Sequence, residues 1–239
     1  MPKLGLSTGL TRSGLTTPGI VTDNLVLKHN YAAGGVVPVS DGAAYFGGAG
    51  TNNRIAITST EFSVHDTTHT FAFWAKRSDK TVNHSTVLGN SGSQVLSHIR
   101  FNGSGSLYIE SDTDTDVAAI TLNSDDTNWH YYAITTSGSG AVTAFQDGVS
   151  CSVSGDVNGD NLTIDLIGAQ NTSGGDNEFG GYLCNVGIWS GVLTQTQIKS
   201  IMNKNYAGLT SSETTNLVSW WNLSADANDS TGTNNGTLA

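Results

Sequence analysis

Short apolar runs alternate with turn-forming residues along most of this chain, and that rhythm limits the possible folds more than any other feature. From Ala43 onward, the runs recur about every 8 to 12 residues, separated by Gly, Asn, Asp and Ser. Asp147-Gly148 is typical of a tight type I′ turn, leading into a strand at 149–153. Residues 69–76 place apolar side chains on both faces of one predicted strand. The pattern predicts an all-β sandwich of two antiparallel sheets.

The composition agrees with that fold class. Charged residues make up only 13% of the 239 residues, and there are 29 glycines but 3 prolines. Glutamate and lysine, which favour helices, are scarce. The length suits one large β-sandwich, or a smaller one that carries an arm.

One segment has the pattern of a helix. Thr194 and Gln197 fit a capping box, and Leu193 and Ile198 fit the hydrophobic staple that often accompanies one. The pattern predicts a single short helix, at about residues 194–205, that packs on a sheet.

Residues 1–42 differ from the rest of the chain. Their apolar side chains are scattered among glycines without a regular period, and they include Leu4, Leu6, Leu10, Leu15 and Ile20. Such a segment can hardly form its own core, so it is either disordered or an extended arm laid on another surface. The spacing of the leucines favours an assembly arm.

Charge and apolar content exclude several classes of partner. The formal net charge is −10, from 10 basic and 20 acidic residues, so nucleic acid is a poor partner. The N-terminus lacks the apolar core of a signal peptide, and no run approaches the roughly 18 apolar residues of a membrane span. We therefore expect synthesis and folding in the cytoplasm. Cys151 and Cys184 are expected to be buried free thiols rather than a disulfide.

Four elements together resemble the laminin G-like branch of the concanavalin A-like lectin/glucanase superfamily. In chain order they are Ala44–Gly48 with Arg54–Ile57, Thr70–Lys76, Trp129–Thr135 with Phe145–Gly148, and Phe179–Leu183 with Val186–Trp189 and Leu193–Ile198. Each is weak alone, but the set spans residues 43–202 in the family's order. The resemblance implies a concanavalin A-like jelly roll over residues 43–239.

The C-terminus departs from the family pattern. Residues 217–223 look like the strand that normally opens such a domain, yet here they follow the predicted helix. Because an unpaired sheet edge is a liability, we expect strand 217–223 to complete a sheet from the other terminus. It would do so within its own subunit or, less readily, by exchange with a neighbouring subunit.

The opening segment is similar in style to arms of virion proteins from marine tailed phages, which often carry laminin G-like domains. This resemblance implies a structural protein of a phage virion, made in the host cytoplasm and present in many copies. Its partners would be capsid or tail proteins of the same virion, with the protein serving as capsid decoration or in a tail or fibre. The alternative is a non-catalytic carbohydrate-binding lectin or adhesin that binds surface polysaccharide.

The sequence lacks the catalytic signature of the superfamily's glucanases, which is E-x-D-x-x-E. Of the four glutamates, only Glu110 begins such a pattern, with Asp112, and the second glutamate is missing. We expect no enzymatic activity and no cofactor.

Calcium is left open as a ligand of acidic turns. Residues 156–160 begin like a calcium-binding loop, but Asn161 and Ile167 stand where that loop needs Gly and Glu. Residues 112–116 and 176–178 could hold a cation with help from backbone carbonyls.

Trp220 and Trp221 are the sequence's candidates for ligand binding. Neighbouring residues in a strand point to opposite faces, so one of the two rings is expected at the surface. An exposed ring could stack on the face of a sugar.

Overall fold

A computed structural model describes residues 37–92, 97–111, 117–159, 161–171 and 177–238. The predicted assembly arm lies outside the described residues as far as residue 36, including Leu4, Leu6, Leu10, Leu15 and Ile20. Its role stays a prediction.

The described residues form fifteen strands in two antiparallel sheets. The strands are β1 Ala44–Gly47, β2 Ile55–Phe62, β3 His69–Arg77, β4 Ser85–Gly89, β5 His98–Asn102, β6 Ser106–Glu110, β7 Val117–Thr121, β8 His130–Thr136, β9 Val142–Gln146, β10 Val149–Ser150, β11 Ser152–Ser154, β12 Leu162–Ile167, β13 Gly180–Trp189, β14 Leu217–Trp221 and β15 Thr237–Leu238. The predicted all-β sandwich is confirmed.

The two sheets differ in strand order. The seven-stranded sheet runs β1-β13-β3-β8-β9-β10, with β14 also paired to β13, and the eight-stranded sheet runs β11-β7-β6-β5-β4-β12-β2-β15. The inner faces enclose an apolar core that includes Phe71, Phe73, Ile99, Ile109 and Ile134. Burial of this apolar surface is the main force that holds the sheets together.

A second apolar cluster covers part of the outer face of the seven-stranded sheet. We call it the outer cluster; it contains Trp74, Tyr131, Cys184, Trp189 and Trp220 from the sheet and Leu193, Ile198, Ile201 and Met202 from the helical segment. The apolar residues that β3 carries on both sides therefore meet two cores, as the sequence predicts.

Helix α1, Gln195–Ile201, has the predicted capping box between Thr194 and Gln197. It is shorter than predicted, because its C-cap is Met202 and Asn205 already caps a separate 3₁₀ turn. A further single-turn helix, α2 Ser211–Thr214, was not predicted. No helix among the described residues is long and apolar enough to cross a membrane.

The predicted strand at 149–153 is wrong in one respect. It divides at Cys151, so that β10 pairs with β9 in one sheet and β11 pairs with β7 in the other. Cys151 and Cys184 are free thiols, as expected; Cys151 is only half-buried, whereas burial raises the pKa of Cys184 to about 12.

Strand β13 receives strands from both ends of the described chain along one edge. Its first half pairs with β1, from Gly180 to Leu183, and its second half pairs with β14, from Val186 to Trp189. The C-terminal strand thus lies in a sheet of its own chain. Asn185 occupies the junction, at a φ of 48°.

Candidate functional site

Trp220 and Trp221 are both fully buried. They face opposite sides of the sheet, as adjacent residues in β14 must. Trp221 packs between the sheets and its Nε1 donates to the Asn234 carbonyl at 2.9 Å, while Trp220 packs in the outer cluster and donates to Asn222 Oδ1 at 2.8 Å. The expectation that one ring is exposed is wrong, because both faces of the sheet are covered here. Neither ring offers a face to a sugar.

Glu110 and Glu213, two of the four glutamates, are held in ion pairs. Glu110 accepts hydrogen bonds from Arg100 at 2.7 and 3.1 Å and contacts His98, and Glu213 accepts from Lys204 at 2.7 and 2.8 Å. Burial would raise the pKa of Glu110, but the hydrogen bonds from His98 and Arg100 outweigh it and lower that pKa. The general acid of a glycosidase needs a raised carboxyl pKa instead.

No group of three or more His, Cys, Asp or Glu side chains that could hold a metal ion occurs in the part of the chain that the structure describes. Residues 112–116, Asp160 and Asp176, which the sequence offered for calcium, lie outside that part. Calcium binding there stays a hypothesis.

Three aromatic side chains form a row on the outer face of the seven-stranded sheet, next to the outer cluster. Tyr45 of β1 lies opposite Tyr182 of β13, and their ring centroids are 5.0 Å apart with the planes at 52°. The ring of Trp129, just before β8, lies 6.3 Å from that of Tyr182 at 50°. Tyr45 is 59% exposed and Tyr182 40%, while Trp129 is half-buried. We call Tyr45, Tyr182 and Trp129 the aromatic row.

Strand alternation fixes the direction of these rings. Phe46 and Leu183, the neighbours of Tyr45 and Tyr182, belong to the core between the sheets, so the two tyrosines point outward. Gly181 allows β13 to approach β3 beside them: its φ is 140°, and a Cβ there would lie 2.1 Å from the Lys76 carbonyl oxygen. The row therefore depends on a glycine as well as on the pairing of the strands.

Two carboxylates hold the side chain of His130, the residue that follows Trp129. His130 Nδ1 lies 2.7 Å from Asp147 Oδ2, and His130 Nε2 lies 3.0 Å from Asp126 Oδ1. Burial would lower the pKa of His130, but both carboxylates outweigh it and raise that pKa above 6.5. Burial would raise the pKa of Asp126, yet hydrogen bonds from a backbone amide and from His130 lower it to about 2. These contacts fix the position from which Trp129 projects.

The row ends at a groove between the edges of the two sheets. This groove has a volume of about 250 Å³, and Tyr45, Asn53, Arg54 and Leu238 are among its lining residues. Strand β1 supplies one wall and β15, the edge of the eight-stranded sheet, supplies another. An elongated ligand on the aromatic row could continue into the groove.

The sequence reasoning missed the aromatic row. Trp129, Tyr45 and Tyr182 entered it only as members of the family elements, and none was a candidate for binding. The sequence signal that could have found it is the alternation of outward and inward residues in β1 and β13. Each tyrosine stands between two residues on the inward-facing side of its strand. The proximity of the rings depends on the register between strands more than a hundred residues apart.

Comparison with known proteins identifies the fold. Residues 49–199 match a laminin G-like family model described as the concanavalin A-like lectin/glucanases superfamily. No curated protein sequence matches the chain. A crystal structure of a presumed carbohydrate binding protein from Bacteroides ovatus is similar at a TM-score of 0.60 and 20% identity, over 82% of this chain. The chain spans 57% of that structure, and an identity this low shows a shared fold alone.

Two further structures are similar at lower scores. Domain 4 of an extracellular arabinanase from Geobacillus stearothermophilus, in complex with arabinotriose, has a TM-score of 0.48 at 18% identity, over 71% of this chain and 82% of that one. Domains LG4-5 of the mouse laminin alpha1 chain have a TM-score of 0.43 at 16% identity, over 61% of this chain and 40% of that one.

Proposed function

Because the chain belongs to the laminin G-like family of the concanavalin A-like lectin/glucanases superfamily, we propose that it is a non-catalytic carbohydrate-binding module. Its ligand would be a polysaccharide, bound on the aromatic row. The exposure of Tyr45 and Tyr182, side by side with Trp129 on one face of the sheet, is the observation that carries this proposal.

Aromatic rings at a protein surface suit the apolar faces of sugar rings. A tyrosine or tryptophan offers a large rigid face at a small cost in side-chain entropy, and its polar atom can bond the surrounding hydroxyl groups. The three rings project from β1, from β13 and from the residue just before β8 of one sheet, and successive rings are tilted by about 50°. Such a row can contact consecutive units of a twisted polymer, whereas one exposed ring would contact a single sugar.

The ion pairs of Glu110 and Glu213 support binding without catalysis. Neither carboxylate lies in the aromatic row, and each is engaged by a cation. A sugar on the row would therefore meet rings and hydrogen-bonding groups rather than a pair of catalytic carboxyls.

The test is a polysaccharide binding panel, read by affinity electrophoresis and titration calorimetry. For a polymer that binds, Tyr182→Ala should weaken binding about tenfold or more, because a central ring of a contact surface carries much of its energy. Tyr182→Phe keeps the ring and should bind nearly as well. Val192→Ala removes an exposed apolar side chain that is not part of the row and is the matched control.

Melting temperatures decide whether a loss of binding is local. Tyr182→Ala should melt close to the unchanged protein, since the side chain is 40% exposed. Equal polymer binding by the unchanged protein, Tyr182→Ala and Tyr45→Ala would place the binding surface elsewhere. If no polymer in a broad panel binds, the proposal is wrong.

A role in a virion is a second candidate function. The observation that favours it is the arm of residues 1–42, with its scattered leucines. We propose that residues 1–42 would anchor many copies of the chain to a capsid, tail or fibre surface while the sandwich remains exposed. Co-sedimentation with assembled particles should then require the arm. A chain that begins at Ala43 and sediments with particles as well as the full chain does would contradict this role.

A further inference from the structure

The lysines and arginines of the described residues divide into two groups. Four of the seven form ion pairs with carboxylates: Arg77, Lys80, Arg100 and Lys204. The other three, Arg54, Lys76 and Lys199, have no carboxylate partner among the described residues. In a chain with 20 acidic and 10 basic residues, a cation without a carboxylate partner is unexpected.

Lys76 lies between two rings of the aromatic row, those of Tyr182 and Trp129. On one side of β13, Lys76 of β3 lies directly opposite Tyr182. On the other side, Tyr45 of β1 lies opposite the same tyrosine. Its neighbour Ala75 pairs with His130, so Lys76 is also beside Trp129. Strand alternation puts Lys76 on the outer face, and its half-buried side chain can lay its methylene groups beside the rings.

Arg54 lies at one end of the row. It lines the groove that begins at Tyr45, and among the described residues its guanidinium donates to the Asn52 carbonyl alone, at 3.3 Å. A guanidinium can bind a planar anion through two parallel hydrogen bonds, which leaves Arg54 suited to a carboxylate or sulfate in the groove.

Lys199 lies toward the other end of the row. It is exposed on helix α1, and its stem lies over Gly148, where an added Cβ would be 2.6 Å from Lys199 Cγ. Gly148 follows Asp147, which accepts a hydrogen bond from the backbone of Tyr131. The turn beneath Lys199 is therefore joined to the strand that starts beside Trp129.

We propose that the aromatic row selects acidic polysaccharides, whose carboxylate or sulfate groups pair with Arg54, Lys76 and Lys199. This rests on the proposed carbohydrate binding and names its substrate class. Arg54 lies beyond Tyr45 and Lys76 lies between Tyr182 and Trp129, so a polymer with acidic groups on its sugars can contact rings and cations together. The net charge of −10 repels polyanions at long range, so binding depends on these local cations.

The test compares polymers that differ only in charge. Polygalacturonate is set against its methyl-esterified form, and dextran sulfate against dextran, by titration calorimetry with the full chain. Each acidic form should bind at least about tenfold more tightly than its neutral counterpart, because the small contributions of several exposed ion pairs add up. The first pair reports carboxylate recognition and the second reports sulfate recognition.

Charge variants identify the cations. Lys76→Gln, Arg54→Gln and Lys199→Gln should each weaken binding of the acidic polymer about two- to fivefold, with little effect on the neutral one. Lys80→Gln is the control, because Lys80 is already paired with Asp125. Binding of the acidic polymer should also weaken between about 0.05 and 0.5 M NaCl, since salt screens exposed charges.

Three other outcomes of these binding measurements would contradict the selection of acidic polymers. Equal binding of acidic and neutral polymers, dependent on Tyr182 but not on the three cations, would overturn this inference and leave the proposed function intact. Equal weakening by Lys80→Gln would also overturn it, since the effect would then be one of overall charge. Failure of every polymer to bind would overturn both.

Discussion

The side-chain amide of Asn185 donates a hydrogen bond of 3.1 Å to the backbone carbonyl of Val39. The same amide donates to the Lys204 carbonyl at 3.3 Å, and the backbone N–H of Asn185 donates to Asn222 at 3.2 Å. One buried residue thus joins the segment before β1, the end of the helical region and the segment after β14. Its φ of 48° lies in the left-handed region, which asparagine tolerates better than most residues.

Asn185→Ala should lower the free energy of unfolding by about 2–4 kcal/mol, because it removes two side-chain hydrogen bonds and strains the backbone. Asn185→Gly removes the same bonds but accepts the positive φ, so its loss should be smaller by about 1 kcal/mol. Urea unfolding measures both. Equal losses in the two variants would show that backbone conformation contributes nothing at this position.

The His130 site predicts a stability that depends on pH in two windows. The pKa of His130 is raised in the folded state, so its contribution is full below about 6.5 and is lost as the pH rises through the raised value. The pKa of Asp126 is lowered from 3.8 to about 2, so its contribution is lost as the pH falls through that range. The melting temperature should therefore decline both as the pH rises through the raised pKa of His130 and as the pH falls through the lowered pKa of Asp126.

His130→Gln is the variant that separates the two windows. It should flatten the decline above neutral pH and leave most of the acid decline, which other carboxylates share. A variant that declines at alkaline pH as steeply as the unchanged protein would exclude His130 as the source.

The Arg100–Glu110 pair predicts a large effect from one conservative change. Both residues are more than nine-tenths buried, so Glu110→Gln would leave the Arg100 charge without its counter-ion. The free energy of unfolding should fall by about 3–5 kcal/mol. Glu61→Gln is the matched control, because Glu61 is exposed on β2 and should change stability by less than about 0.5 kcal/mol. Similar losses from both would contradict the buried pair.

Two glycines with nearly equal φ separate steric crowding from backbone strain. Gly168 has a φ of 87° and an added Cβ would lie 2.1 Å from the Phe46 ring, whereas Gly232 has a φ of 81° with nothing within 4 Å. Gly232→Ala should cost about 1–2 kcal/mol of unfolding free energy, and Gly168→Ala about 2–5. Thermal unfolding of both variants measures the difference, and no difference would mean that Phe46 moves aside freely.

Local patterns predicted the parts of the fold that local chemistry determines. The capping box at Thr194, the turn at Asp147-Gly148 and the doubly covered strand β3 depend on residues close in the chain. The division of one strand at Cys151 was not predictable in this way, because its halves pair with β9 and β7, whose positions follow from the whole sheet order.

The candidate site depends even more on contacts between residues far apart in the chain, which local patterns do not predict. Alternation correctly put Trp220 and Trp221 on opposite faces, but only the packing of α1 and of the C-terminal segment determines that both faces are covered. Trp129 belongs to a family strand element, and its exposure depends on where the outer cluster ends. The contact between Tyr45 and Tyr182 requires the register of β1 on β13, which no short window of sequence contains.

The shared edge of β13 brings the two ends of the sandwich together. Strands β1 and β14 lie end to end along it, and Ala44 and Leu238 line the same groove, so the two ends of the sandwich are neighbours in space. The contacts along β13 need two short strands in place but do not depend on which is synthesised first. Circular permutation, with residue 238 linked to residue 37 and new termini in an exposed turn, should preserve the architecture. The late position of β14 in the sequence would then concern the connectivity of the chain rather than its fold.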